Sequence, residues 1–324
     1  MIGWDLFSGI GGIKCGMELA GIDPVLGVEC DPSDRMLSEA FIEIHKLNGW
    51  DRTYLMTVQD YAMWGFPGLP IGAKLAHISP VCADFSIAQF GSPSHANMPM
   101  AIAAMDAIAH GRPENFTLEQ VPQYARSPEF EYIKNRALTL GYTFNHKTIC
   151  IGAPFGQSRK RLIVTASLAG DWRSPIQPAG ISWYKVIEDL IPTFEPIVPT
   201  ERQLTSAAAW YYKNRNKYPE HKPSPLYVER VTSGKVPKAR GWFEPIPTML
   251  KSKFRDSAFN GRSNVSCLYL PEGDRWLNLN LQAYSRLAGF PPTFKYPNSP
   301  KTTGSGFGYS VPPLWYASLL KTMP

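Results

Sequence analysis

MIGWDLFSGIGGIKCGMELAG, residues 1–21, decides how the rest of the chain is read. MIGWDLF has the composition of a buried strand, and SGIGG is a turn in which glycine lets the backbone bend tightly and approach a ligand. IKCGMELAG then carries helical spacing, so the opening unit is strand, glycine turn, helix. The same alternation continues. DPVLGVE (23–29) reads as a second strand, and Asp31-Pro32 opens a helix through SDRMLSEAFIEIHKL, with proline at the helix start. KLAHIS (74–79), NFTLEQV (115–121), YTFNHKTICIGA (142–153) and RLIVTAS (161–167) read as further strands. MPMAIAAMDAIAHG and EFEYIKNRALTLG fall between them as helices. Alternation of this kind predicts an α/β fold with a mostly parallel sheet covered on both faces. Ligands in such sheets bind beyond the carboxyl ends of the strands, so those ends are where chemistry is expected.

After about residue 170 the alternation stops. The following hundred residues are rich in Pro, Trp, Tyr and Lys/Arg, with convincing helices only at SWYKVIEDLI and TSAAAWYYKNR. Helical pattern returns in LQAYSRLAGF and again across GYSVPPLWYASLLKTM (308–323). Charge follows the same division. Residues 1–165 hold 13 Lys/Arg against 16 Asp/Glu, whereas 166–324 hold 20 against 11, and 200–265 alone hold 13 against 5. A nearly neutral α/β half joined to a basic half fits a catalytic domain beside one that binds a polyanion such as nucleic acid. A merely solvated basic surface is the alternative.

No apolar run reaches the roughly 18 residues of a membrane span. The first residues lack the basic-then-apolar pattern of a secretory signal. The five cysteines (15, 30, 82, 150 and 267) are scattered, never in CxxC spacing, and the histidines are isolated. No metal site and no disulfide framework are expected, which suits a cytoplasmic protein.

The first turn fails the dinucleotide pattern GxGxxG because position 14 is lysine. Glu29 nevertheless ends the second strand, where a carboxylate can accept from ribose hydroxyls. Nucleoside binding without a pyrophosphate cradle points to S-adenosylmethionine rather than NAD. Cys82, in HISPVCADFS (77–86), follows the strand KLAHIS. Taken alone it is either a buried structural thiol or a nucleophile presented at a strand end.

Seven segments occur in one order: DLFSGIGG, VECDP, the cysteine of SPVCADFS, LEQV, QSRKR, RLAGFP and GYSVPP. In that order the sequence resembles the C5-cytosine-specific DNA methyltransferases, from residue 5 to residue 313. The resemblance implies a Rossmann-like S-adenosylmethionine-dependent catalytic domain over 1–180 and 301–324. It also implies a smaller, irregular target-recognition domain over 181–300. Asp5, Phe7, Ser8, Gly9, Gly11 and Gly12 would face the cofactor, with Glu29 and Cys30 at its ribose and Asp60 and Tyr61 at its adenine. Tyr309 and Ser310 would close the cofactor site from the last motif. Cys82 matches the nucleophile, Glu119 the glutamate of the family's ENV motif, and Arg159 and Arg161 the arginines that support the target base and the active-site loop. Arg286, Gly289 and Phe290 match the motif leading back from the recognition domain. The implied partner is duplex DNA with its target cytosine flipped out, bound by a monomer.

The chemistry is consistent with those residue types. Cytosine C5 is too weak a nucleophile to take a methyl group directly, and thiolate addition at C6 divides that step into easier ones. A free cysteine thiol has a pKa of about 8.5, so the site must favour thiolate. A carboxyl group must meet cytosine N3 as that nitrogen gains a proton. Several positions depart from the family pattern. Val81 and Ala83 stand for the Pro and Gln of Pro-Cys-Gln, Gln120 for the asparagine of ENV, and Tyr309 for the asparagine of the last motif. The acidic–arginine pair often seen before the helix at 98–109 is replaced by His95-Ala96-Asn97-Met98. The rival readings are an RNA-directed enzyme of the same fold, a catalytically silent DNA-binding relative, and a Rossmann oxidoreductase. PENF (113–116) imitates ENV but lies at the start of its strand and is set aside.

Overall fold

β1 (Ile2–Leu6) is buried from its second residue onward, and it is an interior strand of a seven-stranded sheet. The computed structural model describes residues 1–80, 97–173, 175–217, 224–229, 238–249 and 266–324. The other strands of this sheet are β2 (Asp23–Glu29), β3 (Thr53–Leu55), β4 (Leu75–Ile78), β5 (Asn115–Gln120), β6 (Thr143–Cys150) and β7 (Lys160–Ser167). They lie in the order β3-β2-β1-β4-β5-β7-β6. β1 to β5 are parallel, and β7 runs antiparallel between β5 and β6. The sheet is therefore mostly parallel and Rossmann-like, as the alternation predicts.

Order along the sheet reverses between β1 and β4, because the chain winds outward to β2 and β3 before returning. A crevice opens beyond the strand ends at such a switch point. Two segments meet there: the glycine turn after β1, and Ser79-Pro80 after β4. β7 adds a third, because its reversed direction brings its first residues to the end of β5 that carries Glu119.

The helices cover the sheet because their apolar stripes need burial. α1 (Gly12–Leu19), α2 (Arg35–Leu47) and α3 (Val58–Met63) belong to the first half with α4 (Met98–Gly111) and α5 (Pro128–Thr139). α4 is nearly all alanine, isoleucine and methionine and packs into the main core with Trp4, Leu6, Phe116 and Leu118. Further along lie α6 (Trp183–Ile187), α7 (Glu201–Asn214), α8 (Leu281–Leu287), α9 (Ser305–Tyr309) and α10 (Pro313–Leu320). A second, four-stranded antiparallel sheet has the order β11-β10-β8-β9. It is formed by β8 (Leu226–Val228), β9 (Ala239–Gly241), β10 (Cys267–Leu270) and β11 (Arg275–Asn278). α7 covers it through Ala207 and Trp210 against Leu226, Val228 and Trp276.

Several elements differ from expectation. The helix expected across 308–323 is two helices, because Pro312 and Pro313 cannot continue the ladder from α9 and instead start α10. α8 stops at Leu287, and Gly289 takes a left-handed conformation (φ 75°). A Cβ at Gly289 would lie 2.7 Å from Phe155 and from Pro312. α7 begins at Glu201, four residues before the expected start, fixed by a capping box of Thr200 and Gln203. The second helix begins at Arg35 rather than at the Asp31-Pro32 turn.

Candidate active site

The turn after β1 is built from left-handed residues: Phe7 (φ 65°), Gly9 (φ 51°) and Gly11 (φ 93°). A non-glycine residue in that region is uncommon, and Phe7 holds it between two buried anchors. Ser8 N–H donates to the Val28 carbonyl (3.0 Å), and Ser8 Oγ donates to the Asp5 carbonyl (2.8 Å). Among the described residues nothing stands within 4 Å of where a Gly9 side chain would begin, so with respect to them one side of this turn is open to a ligand's approach. Beneath Gly11 there is no such space, since a Cβ would lie 2.3 Å from the Trp50 ring.

Glu29 reaches back to this turn. Its Oε2 accepts from Gly9 N–H (2.7 Å) and its Oε1 from Ser38 Oγ (3.1 Å). Those bonds fix the carboxylate against the glycine turn at the end of β2. Cys30 is half-buried next to it. Burial, and then the Glu29 charge, push its thiol above the ordinary range. Asp60 takes the Thr57 hydroxyl proton on Oδ2 (2.7 Å), and its N–H returns a bond to Thr57 Oγ (3.0 Å), capping α3. A carboxylate has two oxygens, and this bond engages one of them.

At the next strand ends the groups are catalytic in type. Glu119 is 8% exposed and ends β5. Arg161 Nε lies 2.7 Å from Glu119 Oε1, but its N–H is not directed along that line. Oε1 takes no hydrogen bond from the described residues. The contact is one of charge, and it leaves an acceptor position open on a nearly buried carboxyl group. The Ser79 hydroxyl stands 3.1 Å from the Glu119 carbonyl and 3.4 Å from Oε2, so its single proton can serve either. Gln120 donates its side-chain amide to the Pro80 carbonyl, and its Oε1 accepts from Val121 N–H (3.1 Å). The ends of β4 and β5 are thus tied together by side chains from both strands. Cys82, two residues beyond Pro80, lies outside the described residues, as do its neighbours Val81 and Ala83.

Arg159 faces elsewhere. It is buried, and its Nη1 and Nη2 donate to the Gly308 (3.1 Å) and Tyr309 (2.8 Å) carbonyls. It therefore positions the last motif, while Arg161 is the arginine at Glu119. Tyr309 is 46% exposed, and Ser310 Oγ donates to the Val311 carbonyl (2.9 Å). A Cβ on Gly12 would meet Ser310 Oγ at 1.9 Å, so the last motif rests directly on the start of α1. Gln157 is a further hub: it donates to the Leu287 carbonyl and accepts from Met249 N–H (3.2 Å). Arg286 forms a close two-oxygen pair with Asp189 (2.5 and 2.7 Å), and the hydrogen bonding, aided by the guanidinium charge, holds the Asp189 carboxyl below its usual range.

Two residues expected at the cofactor are inside the protein instead. Tyr61 is fully buried among Tyr54 and Phe66, with its hydroxyl on the Pro67 carbonyl (3.1 Å). Asp5 is also fully buried, below the turn. Burial pushes its carboxyl group upward, and the nearby Lys14 charge opposes that shift. Glu114 of the PENF segment pairs with Lys74 at the opposite end of the sheet, away from the site. Ser79, Trp50 and Gln157 play structural roles here that their sequence positions did not announce. Ser79 carries a hint in immediately following β4, and Gln157 in opening the QSRKR segment; Trp50 carries none.

The model of the C-5 cytosine-specific DNA methylase family matches residues 1–324, the whole chain. Among solved structures, a Dnmt2 methyltransferase of S. pombe superposes with a TM-score of 0.60 at 15% identity, covering 99% of this chain and 97% of that one. A DNMT2 variant of Spodoptera frugiperda gives 0.64 at 14% identity, covering 99% and 98%. The Entamoeba histolytica methyltransferase EhMeth gives 0.61 at 14% identity, covering 99% and 97%. At such identities the likeness is one of fold. A search of curated proteins returned no significant match.

Proposed function

The chain belongs to the C-5 cytosine-specific DNA methylase family, and from that premise we propose that it methylates C5 of cytosine in duplex DNA with S-adenosylmethionine as donor. The observation that carries this reading is the arrangement at the ends of β4 and β5. A nearly buried Glu119 carboxyl group, paired with Arg161, stands beside the strand that leads into Cys82.

Bound S-adenosylmethionine would supply an electrophilic methyl group on its sulfonium. The residues present fit such a cofactor. The open side of Gly9 admits close backbone approach, Glu29 presents a carboxylate at the end of β2, and Asp60 presents one in the first turn of α3. Cys82 adds as thiolate to C6 of cytosine, making C5 carbanion-like, and is released when the C5 proton leaves. Glu119 meets N3 as that nitrogen becomes basic, holding the proton that stabilises the adduct. Arg161 holds the carboxyl group by charge. A base within a duplex cannot reach such a pocket, so the target nucleotide must be flipped out.

Residues 181–300 would form the recognition domain, with 1–180 and 301–324 as the catalytic domain of a monomer. The exposed Lys213, Arg215 and Lys217 at the end of α7 would contact phosphates. Arg215 stacks on the exposed Tyr212 ring at 4.3 Å, which restricts its rotamers.

The test is to incubate the protein with methyl-labelled S-adenosylmethionine and either duplex DNA or RNA, then digest and identify the labelled nucleoside. 5-Methyldeoxycytidine is the expected product. Label confined to RNA would overturn the DNA assignment, and label in neither, despite DNA binding, would identify a silent relative.

A further inference from the structure

The Gly9 peptide is held from two sides. Its N–H donates to Glu29 Oε2 (2.7 Å), and its carbonyl lies 3.0 Å from Nε2 of His45, a fully buried residue of α2. The other ring nitrogen, Nδ1, lies 2.8 Å from Thr53 Oγ1 at the start of β3. Lys14 Nζ, also buried, lies 2.7 Å from that same hydroxyl.

The proton directions can be worked out. A carbonyl oxygen only accepts, so His45 Nε2 carries the hydrogen. Burial and the nearby Lys14 charge push the His45 pKa well below 6.5, so the ring is neutral and Nδ1 is bare. Thr53 must then give its hydroxyl proton to Nδ1. The competing acceptor, the Trp50 carbonyl, is farther away at 3.2 Å. Lys14 donates to the Thr53 oxygen. The result is one directional chain, Lys14 to Thr53 to His45 to Gly9, ending on the turn residue whose other side is open. Trp50 supports the ring edge-on (5.4 Å, 88°) and fills the space under Gly11.

A buried histidine that merely satisfied its own nitrogens could have used any carbonyl of the core. This one ends on the left-handed glycine that Glu29 also binds. We infer that His45, oriented by Thr53 and Lys14, is a positioning residue for the cofactor turn: it fixes the Gly9 carbonyl from beneath so that the turn keeps the shape that receives S-adenosylmethionine. The inference rests on the cofactor reading above.

The experiment uses the full chain. Titration calorimetry with S-adenosylhomocysteine, and steady-state kinetics with S-adenosylmethionine, are run on His45→Phe, His45→Gln and Thr53→Val. His45→Phe keeps the aromatic contact with Trp50 but removes both nitrogens. It should raise the cofactor Kd and KM at least tenfold while kcat at saturating cofactor falls less than threefold. His45→Gln retains a donor for Gly9 and an acceptor for Thr53, and it should return both constants to within threefold of the parent. Thr53→Val removes the proton for Nδ1 and should weaken cofactor binding in the same direction, with cofactor-free DNA binding unchanged.

Parent-like cofactor affinity in folded His45→Phe would overturn the inference. Equal weakening in the Phe and Gln variants, in step with lost thermal stability, would reduce His45 to packing and overturn it as well. If His45→Phe fails to fold, Thr53→Val and ¹⁵N NMR of the parent's histidine rings decide. A neutral ring protonated at Nε2 is expected, and protonation at Nδ1 would refute the chain. If the parent itself binds neither cofactor form, the cofactor reading fails, and that outcome is distinct from parent binding with indifferent variants.

Discussion

Gly12→Ala sets two effects of known size against each other. Gly12 is the first residue of α1, where alanine is favoured over glycine by up to about 1 kcal/mol in a helix interior. At a helix start that gain shrinks. Against it, the new Cβ would lie 1.9 Å from Ser310 Oγ and 2.7 Å from the Val311 carbonyl oxygen. The serine hydroxyl can rotate away, but the Val311 carbonyl is backbone. To reach ordinary contact at roughly 3.4 Å or more, residues 310–311 must move by about 0.7 Å, and overpacking of this kind costs about 1–3 kcal/mol. The clash therefore wins, by roughly 1–2 kcal/mol. With unfolding entropy near 2.1 cal/mol/K per residue, each kcal/mol is worth about 1.5 °C in a chain of this length, so Tm should fall by about 1.5–3 °C. The same motion pulls the last motif from the cofactor turn, so KM for S-adenosylmethionine should also rise. Gly21→Ala is the control: Gly21 is left-handed (φ 77°) with nothing within 4 Å among the described residues. It should lose about 1–2 kcal/mol through strain alone, with KM unchanged. Differential scanning calorimetry and initial rates on both variants decide the matter. Parent-like Tm and KM in Gly12→Ala would refute the claimed contact between α1 and the last motif.

Glu119→Gln should lower kcat by about 10²–10⁴-fold, because an amide cannot hold the proton that N3 requires; single-turnover rates at saturating DNA and cofactor check it, and a loss under tenfold would move the acid elsewhere. Gln120→Ala releases the Pro80 carbonyl, and the loss of a hydrogen bond worth about 1–1.5 kcal/mol should slow transfer roughly 5–10-fold without changing cofactor KM. Neutralising Lys213, Arg215 and Lys217 together should flatten the log–log salt dependence of DNA affinity by up to about 2.7, at 0.9 per phosphate contact. An unchanged slope in filter binding across salt concentrations would return this cluster to a solvated surface.

Much of this arrangement was legible because its signals are local. The glycine turn, the strand ends at Glu29 and Glu119, and the arginines of QSRKR each lie where a short pattern and the order of segments put them. What stayed hidden depends on packing. β3 is only three residues, too short to show alternation, and α3 is a six-residue helix whose start is marked by Thr57 and Asp60 acting on each other. Asp60 was read as a ligand for adenine without the cap it also forms. Tyr61 was grouped with it, although one step along a helix turns the side chain by about 100° and here turns it inward. The division of labour between Arg159 and Arg161 is not strand alternation, which puts residues two apart on one face. Arg159 precedes β7, which begins at Lys160, so its backbone is free of the strand's pleat. One arginine faces Gly308 and Tyr309, and the other faces Glu119. After residue 170 the chain reads as short strands, turns and loops. The pairing of those strands into a sheet is not legible, because each is three or four residues long and β8 meets β10 across a long stretch of chain.

The central claim, covalent cytosine methylation through Cys82 and Glu119, is tested most directly with a DNA duplex carrying 5-fluorocytosine at the target position. Thiolate addition and methyl transfer can proceed on that base, but fluorine cannot leave C5 as a proton does, so release of the enzyme stalls. The account predicts a complex that survives denaturation, requires both duplex and S-adenosylmethionine, and maps after digestion to the peptide containing Cys82. No covalent complex despite tight binding of DNA and cofactor, or one mapping to another cysteine, would contradict it.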